Sequence, residues 1–206
     1  MATTDLITIT EAKQEIAAVN VAVDDVLLAS YVSAVSQMID RKCGPIVART
    51  ITDEVHDVGQ TAEIRLRTYP VMSITSVVEY SSLGVPVTLT ADTPGAKHDN
   101  GYWINTSTKF ARRLERRNAG VAYTYPPFGQ VVVTYTAGRC ASTATVPDIF
   151  RHAARLAVAT NWSIQQGSGT MTFGVGDGGF GAPIPIIMPR AVDAMLAAEV
   201  LPGGVA

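Results

Sequence analysis

Apolar positions recur at helical spacing near both ends of this chain and at strand spacing through its middle. Thr8-Ile9-Thr10-Glu11 fits a capping box, in which the Thr8 hydroxyl accepts an orphan amide and Glu11 reaches back. A short helix is predicted from there to about Val19, with Asn20–Val23 as a connector. Asp24 is a good N-cap for a second helix running to Cys43 and stopped by Gly44-Pro45. On that helix Leu27, Leu28, Tyr31, Val32, Val35, Met38 and Ile39 share one broad arc. Ala29, Ser30, Ser33, Ser36 and Gln37 lie opposite, small or polar and uncharged until Asp40 and Arg41. Such a face is either ordinary solvated surface or a seat for a neighbouring helix.

From Ile46 the period changes to two. Val47, Ile51 and Val55 alternate with polar residues, and Ile64 and Leu66 alternate with Glu63, Arg65 and Arg67. Ile74, Ser76, Val78 and Tyr80 form another run, Tyr102–Asn105 a short one, and Val131, Val133, Tyr135 and Ala137 the clearest, closed by Gly138. Turn signals separate the runs: Tyr69-Pro70, Leu83-Gly84, Pro94-Gly95, Asn118-Ala119-Gly120, Pro126-Pro127. Residues 46–137 therefore read as an antiparallel β region, with Pro70 and Pro86 confined to strand starts or edges. Pro147 opens a helix over 148–166 with Ile149, Phe150, Ala153, Leu156, Ala157 and Ile164 as its apolar face. Residues 167–188 are rich in Gly and then Pro, and a last helix is predicted over 189–201. The fold class is α+β: a helical bundle from both ends of the chain, with an antiparallel β-rich insertion between.

The 206 residues can bury about 70% of the unfolded surface, so no disulfide staples are needed. Apolar residues make up 47% and exclude intrinsic disorder. Sixteen basic against 18 acidic residues leave a net charge of −2, unlike a protein that coats nucleic acid. The charged fraction of 17% is below the usual ~25%, which suits a chain buried in an assembly. No apolar run approaches the length of a membrane span, and the opening MATTDLITIT lacks the charged and apolar regions of a secretory signal. Cys43 and Cys140 are far apart and read as reduced thiols.

Candidate chemistry is sparse. Gly174–Gly179 formally matches GxGxxG, but Pro183 and Pro185 follow where a phosphate-binding helix would have to begin. His56, His98 and His152 have no partner at metal-ligand spacing, and Asp24-Asp25 and Asp53-Glu54 have simpler roles as helix start and strand or turn residues. Neither a catalytic residue, a cofactor site nor a metal site is predicted. The sharpest charge feature is Lys109, Arg112, Arg113, Arg116 and Arg117. It reads as a basic surface for an acidic partner, a solvated hairpin, or a contact to passing DNA. Trp162 falls near Arg151 and Arg155 by helical phase. This predicts a partner-facing patch, since Trp and Arg are enriched at interfaces. Seven glycines between 167 and 181 interleave with Met171, Phe173, Val175 and Phe180. That combination predicts an arm that orders against a partner.

The order of these signals carries a resemblance: Glu11-Ala12-Lys13 in a capped short helix, Asp24-Asp25 opening a long one, and the Gly44 stop. Tyr69-Pro70-Val71-x-Ser73-Ile74-x-Ser76-Val77 follows, then Val131-x-Val133-x-Tyr135-x-Ala137-Gly138, Val146-Pro147 and an Ala-rich helix. Over most of residues 6–201 the chain resembles the head-to-tail connector (adaptor or head-completion) proteins of long-tailed double-stranded DNA bacteriophages. The resemblance implies one connector domain over 1–206 and a ring, usually twelvefold, beneath the portal. Such a ring joins the portal to a stopper or tail-completion protein and lines the channel that double-stranded DNA crosses. It implies residence in the virion at the head-tail junction, and in the host cytoplasm during assembly. No enzymatic activity, cofactor or membrane partner is implied. Ser30, Ser33, Gln37, Arg151, Arg155, Trp162, Phe173 and Phe180 become candidates for the subunit or portal interface, and the basic cluster for the partner or channel surface. Two alternatives are another ring-forming virion protein, such as a tail-completion or tail-tube protein, and a small enzyme with a dispersed site.

Overall fold

The computed structural model describes residues 4–16, 25–106, 111–127, 129–165 and 186–201. The chain divides into two compact units, one from the two ends (Met1–Val47 with Cys140–Ala206) and one from the middle (Ala48–Arg139). Helices occupy the first and antiparallel strands dominate the second, which is the α+β arrangement the periodicity predicts.

In the helical unit α1 spans Ile9–Ile16, α2 Asp25–Cys43, α3 Asp148–Gln165 and α4 Arg190–Leu196. The capping box forms: the Thr8 amide donates to Glu11 Oε2 at 2.8 Å and the Glu11 amide to Thr8 Oγ1 at 3.1 Å. The predicted end of the first helix, the connector and the Asp24 cap lie outside the described residues. Gly44, at φ +78°, closes α2 in the left-handed region that glycine enters without strain. Leu28, Val32, Val35 and Ile39 of α2 pack with Phe150, Ala153, Ala157 and Val158 of α3, and Val192 and Leu196 of α4 join them. The last helix is shorter than predicted, passing into a 3-10 turn at Ala197–Glu199. Ser36 turns inward rather than to the outer face: its hydroxyl accepts the Leu6 amide (3.0 Å) and donates to the Val32 carbonyl (2.7 Å).

The β unit holds β1 (Arg49–Val58), β2 (Glu63–Arg65), β3 (Val71–Tyr80), β4 (Pro86–Thr88), β5 (Thr90–Ala91), β6 (Gly101–Ile104), β7 (Arg113–Asn118), β8 (Val121–Ala122) and β9 (Gly129–Ala137). One sheet runs β1-β9-β3-β4; the other runs β2-β7-β6-β5, with β8 on β7. Their inner faces share one core, with Val77, Val131, Val133 and Tyr135 from the first and Ile64, Tyr102 and Leu114 from the second. Gly129 lets β9 approach β3 closely, because a Cβ there would stand 2.6 Å from the Tyr80 carbonyl oxygen.

Bulges correct two of the predicted alternations. Between Ile51 and Glu54 the β1–β9 register shifts, and Asp53 adopts φ +52°. The extra residue inverts the phase. Glu54 and Val58 therefore point inward, while Val55 is 41% exposed. In β3 the register shift between Ile74 and Ser76 likewise inverts the phase beyond Ile74, bringing Val77 and Glu79 inside and leaving Ser76 and Val78 on the outer face.

Candidate functional site

The basic cluster is dispersed by strand geometry. Alternation along β7 sends Leu114 and Arg116 inward and Arg113 outward. Arg116 is only 4% exposed and so is not part of the exposed basic surface that all three readings of the cluster required. Its Nε donates to Glu79 Oε2 at 2.8 Å, Nη2 to Asn100 Oδ1 at 3.1 Å and Nη1 to the Arg117 carbonyl at 2.9 Å. Its guanidinium also lies 4.7 Å above the Tyr123 ring. Arg117 bonds Glu115 and covers the Trp103 ring at 4.8 Å. Arg112 stacks 4.7 Å over Tyr69, and Arg113 faces Glu63 at 3.6 Å. Lys109 lies outside the described residues. The parity was legible, since Leu114 and Arg116 are two apart on an alternating strand.

On the helical unit, Arg151 and Arg155 converge on Glu11 rather than on open surface. Arg155 Nη2 donates to Glu11 Oε1 at 2.7 Å, with Arg151 Nη2 at 3.3 Å. Burial alone would raise the Glu11 pKa. The Thr8 amide, the Arg155 guanidinium, the Thr8 hydroxyl and the Arg151 charge outweigh it and hold the carboxyl below its ordinary value. Trp162 corrects its prediction. It is 8% exposed and meets Tyr31 edge-on, with ring centroids 6.0 Å apart. The apolar stripe of α3 runs through Phe150, Ala154, Val158 and Trp162, and Ile149 is left outside. Ala153, Ala154 and Ala157 are fully buried beside the larger Phe150, Val158 and Trp162, so small residues share the core face of α3. Ser30 and Gln37 are exposed and Ser33 half-buried, and the Ser30 hydroxyl donates to the Leu27 carbonyl at 2.6 Å. Phe173 and Phe180 lie outside the described residues.

Two clusters went unread in the sequence. Asn161, 4% exposed, donates from Nδ2 to the Ala157 and Ile187 carbonyls and accepts the Ile187 amide, each at 2.8 Å. It thus fastens the segment leading to α4. In the β unit the buried Glu54 carboxylate accepts the Arg67 amide (2.9 Å) and the Tyr135 hydroxyl (2.8 Å), and lies 2.6 Å from His56 Nε2. Burial, then donation to Glu54, pushes the Tyr135 phenol well up, so it stays protonated and donating. These networks satisfy buried polar atoms.

A hollow of about 610 Å³ is lined by Asp57, Tyr80, Ser81, Ser82 and Gln130 among others. Its wall carries one carboxylate, Asp57, with the hydroxyl-bearing Tyr80, Ser81 and Ser82. Among the described residues no three His, Cys, Asp or Glu side chains converge as metal ligands, and no helix is long and apolar enough to cross a membrane.

No family model and no curated protein sequence matches the chain. Solved structures do. A chain from the neck of an empty gene transfer agent (GTA) particle, computed with C6 symmetry, is 19% identical with a TM-score of 0.62. A chain from the virion of a native GTA particle is 18% identical at 0.64, and one from the neck of a native GTA particle, computed with C12 symmetry, 18% at 0.59. Each alignment covers 97% of this chain and 92% of the other. The fold is therefore shared over nearly the whole length.

Proposed function

We propose that this chain is a structural protein of the neck of a phage-type virion. The observation that carries the reading is the shared fold over 97% of the chain with components of GTA necks and a GTA virion. The site geometry agrees with it: among the described residues the Arg116–Glu79, Glu54–Tyr135 and Asn161–Ile187 clusters tie elements of the fold together.

In its finer form, the whole chain over 1–206 acts as one connector. It forms a ring, twelvefold by the resemblance, between the portal and a stopper or tail-completion protein, around the passage for double-stranded DNA. It joins the particle in the host cytoplasm. The interface candidates that keep accessible surface on the helical unit are Ser30, Ser33, Gln37, Arg151 and Arg155. Phe173 and Phe180 in the Gly-rich arm belong to the same proposal.

Deleting the gene from the producing genome tests this. DNA-filled heads and tails should accumulate separately, and the supplied protein should restore joined particles and appear as a ring at the head-tail junction by electron cryomicroscopy. Joined, infectious particles made without the protein would refute the proposal.

A further inference from the structure

The two sheets of the β unit share one core, so their outer faces point away from each other. The outer face of the four-stranded sheet is acidic and otherwise uncharged. Asp53 accepts the Thr134 hydroxyl at 3.2 Å, and Asp57 accepts the Gln130 amide at 3.0 Å. Between them Val55, Val132 and Val78 form one row across three strands. Arg49, the one Lys or Arg on β1, β3 and β9, pairs in register with the buried Ala137. Arg67 sits at the β1 edge, donating to the Val55 carbonyl at 3.3 Å.

The outer face of the second sheet has the opposite character. Arg65 and Arg113 are opposite one another, Arg117 follows, and Glu63, Glu115 and Trp103 form the row between. Three arginines exceed two glutamates, and the exposed edge of Trp103 is the apolar element. Glu63 and Glu115 already engage Arg113 and Arg117, but a guanidinium carries five donors and can take a second carboxylate.

The spacings match. Thr134 and Gln130, which hold the two aspartates, are four residues apart on β9, as are Arg113 and Arg117 on β7. Both separations are about 13 Å at strand rise. Superposing the faces sets the aspartates against the arginines and the valine row against the row in which Trp103 is apolar and Glu63 and Glu115 are held by Arg113 and Arg117. A cyclic ring needs two different, complementary patches on each copy.

We infer that the Asp53–Asp57 face of one copy docks on the Arg113–Arg117 face of the next, with Asp57 against Arg113 and Asp53 against Arg117. The inference rests on the neck reading above. Three strands over eight residues offer no more than about 400 Å² per copy, against roughly 800 Å² per partner in a stable pair. One contact is therefore weak, and the chain assembles at high concentration or on a portal ring.

Charge exchange tests it. Asp57 and Arg113 are both exposed. Asp57→Lys and Arg113→Glu chains, checked for folding by circular dichroism, are each followed by light scattering and negative-stain imaging, alone and with purified portal. Each should need at least about tenfold more protein to form rings, since like charges across an interface cost several kcal/mol. An equimolar mixture should recover the unaltered threshold, because alternating copies restore opposite charges at every contact. The introduced lysine of one variant then meets the introduced glutamate of the other, and the retained Asp57 meets the retained Arg113. Unchanged assembly of either variant, or a mixture that fails to recover, overturns this pairing and leaves the neck reading standing. An unaltered chain that stays monomeric at every concentration and with portal overturns both.

Discussion

Replacing Arg116 by Ala separates a structural arginine from a surface one. Arg116 and Glu79 are 4% and 7% exposed, and the substitution strands the Glu79 carboxylate without its 2.8 Å partner. It also removes the bonds to Asn100 and the Arg117 carbonyl and the stacking on Tyr123. Breaking a buried pair by removing one partner costs about 3–5 kcal/mol, a large share of a domain's stability of roughly 5–15 kcal/mol. Arg113→Ala, which breaks the exposed 3.6 Å contact to Glu63, should cost about 0–1 kcal/mol. The two tryptophans make the assay selective: Trp103 lies in the β unit and Trp162 in the helical one. In a Trp162→Phe background, urea unfolding followed by fluorescence reports the β unit alone. The double variant Arg116→Met/Glu79→Met should recover most of the loss, because neither charge is then left buried. Equal, small losses at positions 113 and 116, with the double variant no better than Arg116→Ala, would refute the buried-pair argument.

Trp162→Ala should destabilise the helical unit by about 3–5 kcal/mol, read by thermal unfolding; an unchanged midpoint would make it a surface residue after all. The Glu11 carboxyl is held below its ordinary value of 4.5, so its contribution is complete above that pH and lost as pH falls through the lower, folded value. The midpoint difference between the unaltered chain and Glu11→Gln should therefore shrink as pH drops from 6 toward 3, and a constant difference would contradict the pairing with Arg151 and Arg155. Asn161→Ala should cost about 1–3 kcal/mol by stranding the Ile187 amide and carbonyl. Hydrogen exchange at the Ile187 amide should quicken correspondingly, and an unchanged rate would argue against the clamp.

Local pattern determined much of this protein. The capping box at Thr8–Glu11, the Gly44 stop and the alternation of Val131, Val133, Tyr135 and Ala137 depend on neighbours a few residues apart, where backbone geometry allows few solutions. Phase was the weaker inference. A single extra residue at Asp53 inverted the inside and outside of β1 beyond Ile51, and the Asp53 amide there donates to the Thr134 hydroxyl on another strand, a partner that no local signal marks. The arginines at 112–117 look alike as a run. Alternation along β7 separates Arg116 from Arg113 and Arg117, but only the packing of two sheets sets it against Glu79, which is 37 residues away. On α3 the predicted Phe150, Ala153 and Ala157 are buried, but the buried stripe extends to Ala154, Val158 and Trp162 and leaves Ile149 outside, because which side faces the core is set by how the helices pack. Pairing across the fold, not composition, turned Arg151 and Arg155 into partners of Glu11 and set an acidic sheet face and an arginine face on opposite sides of one β unit.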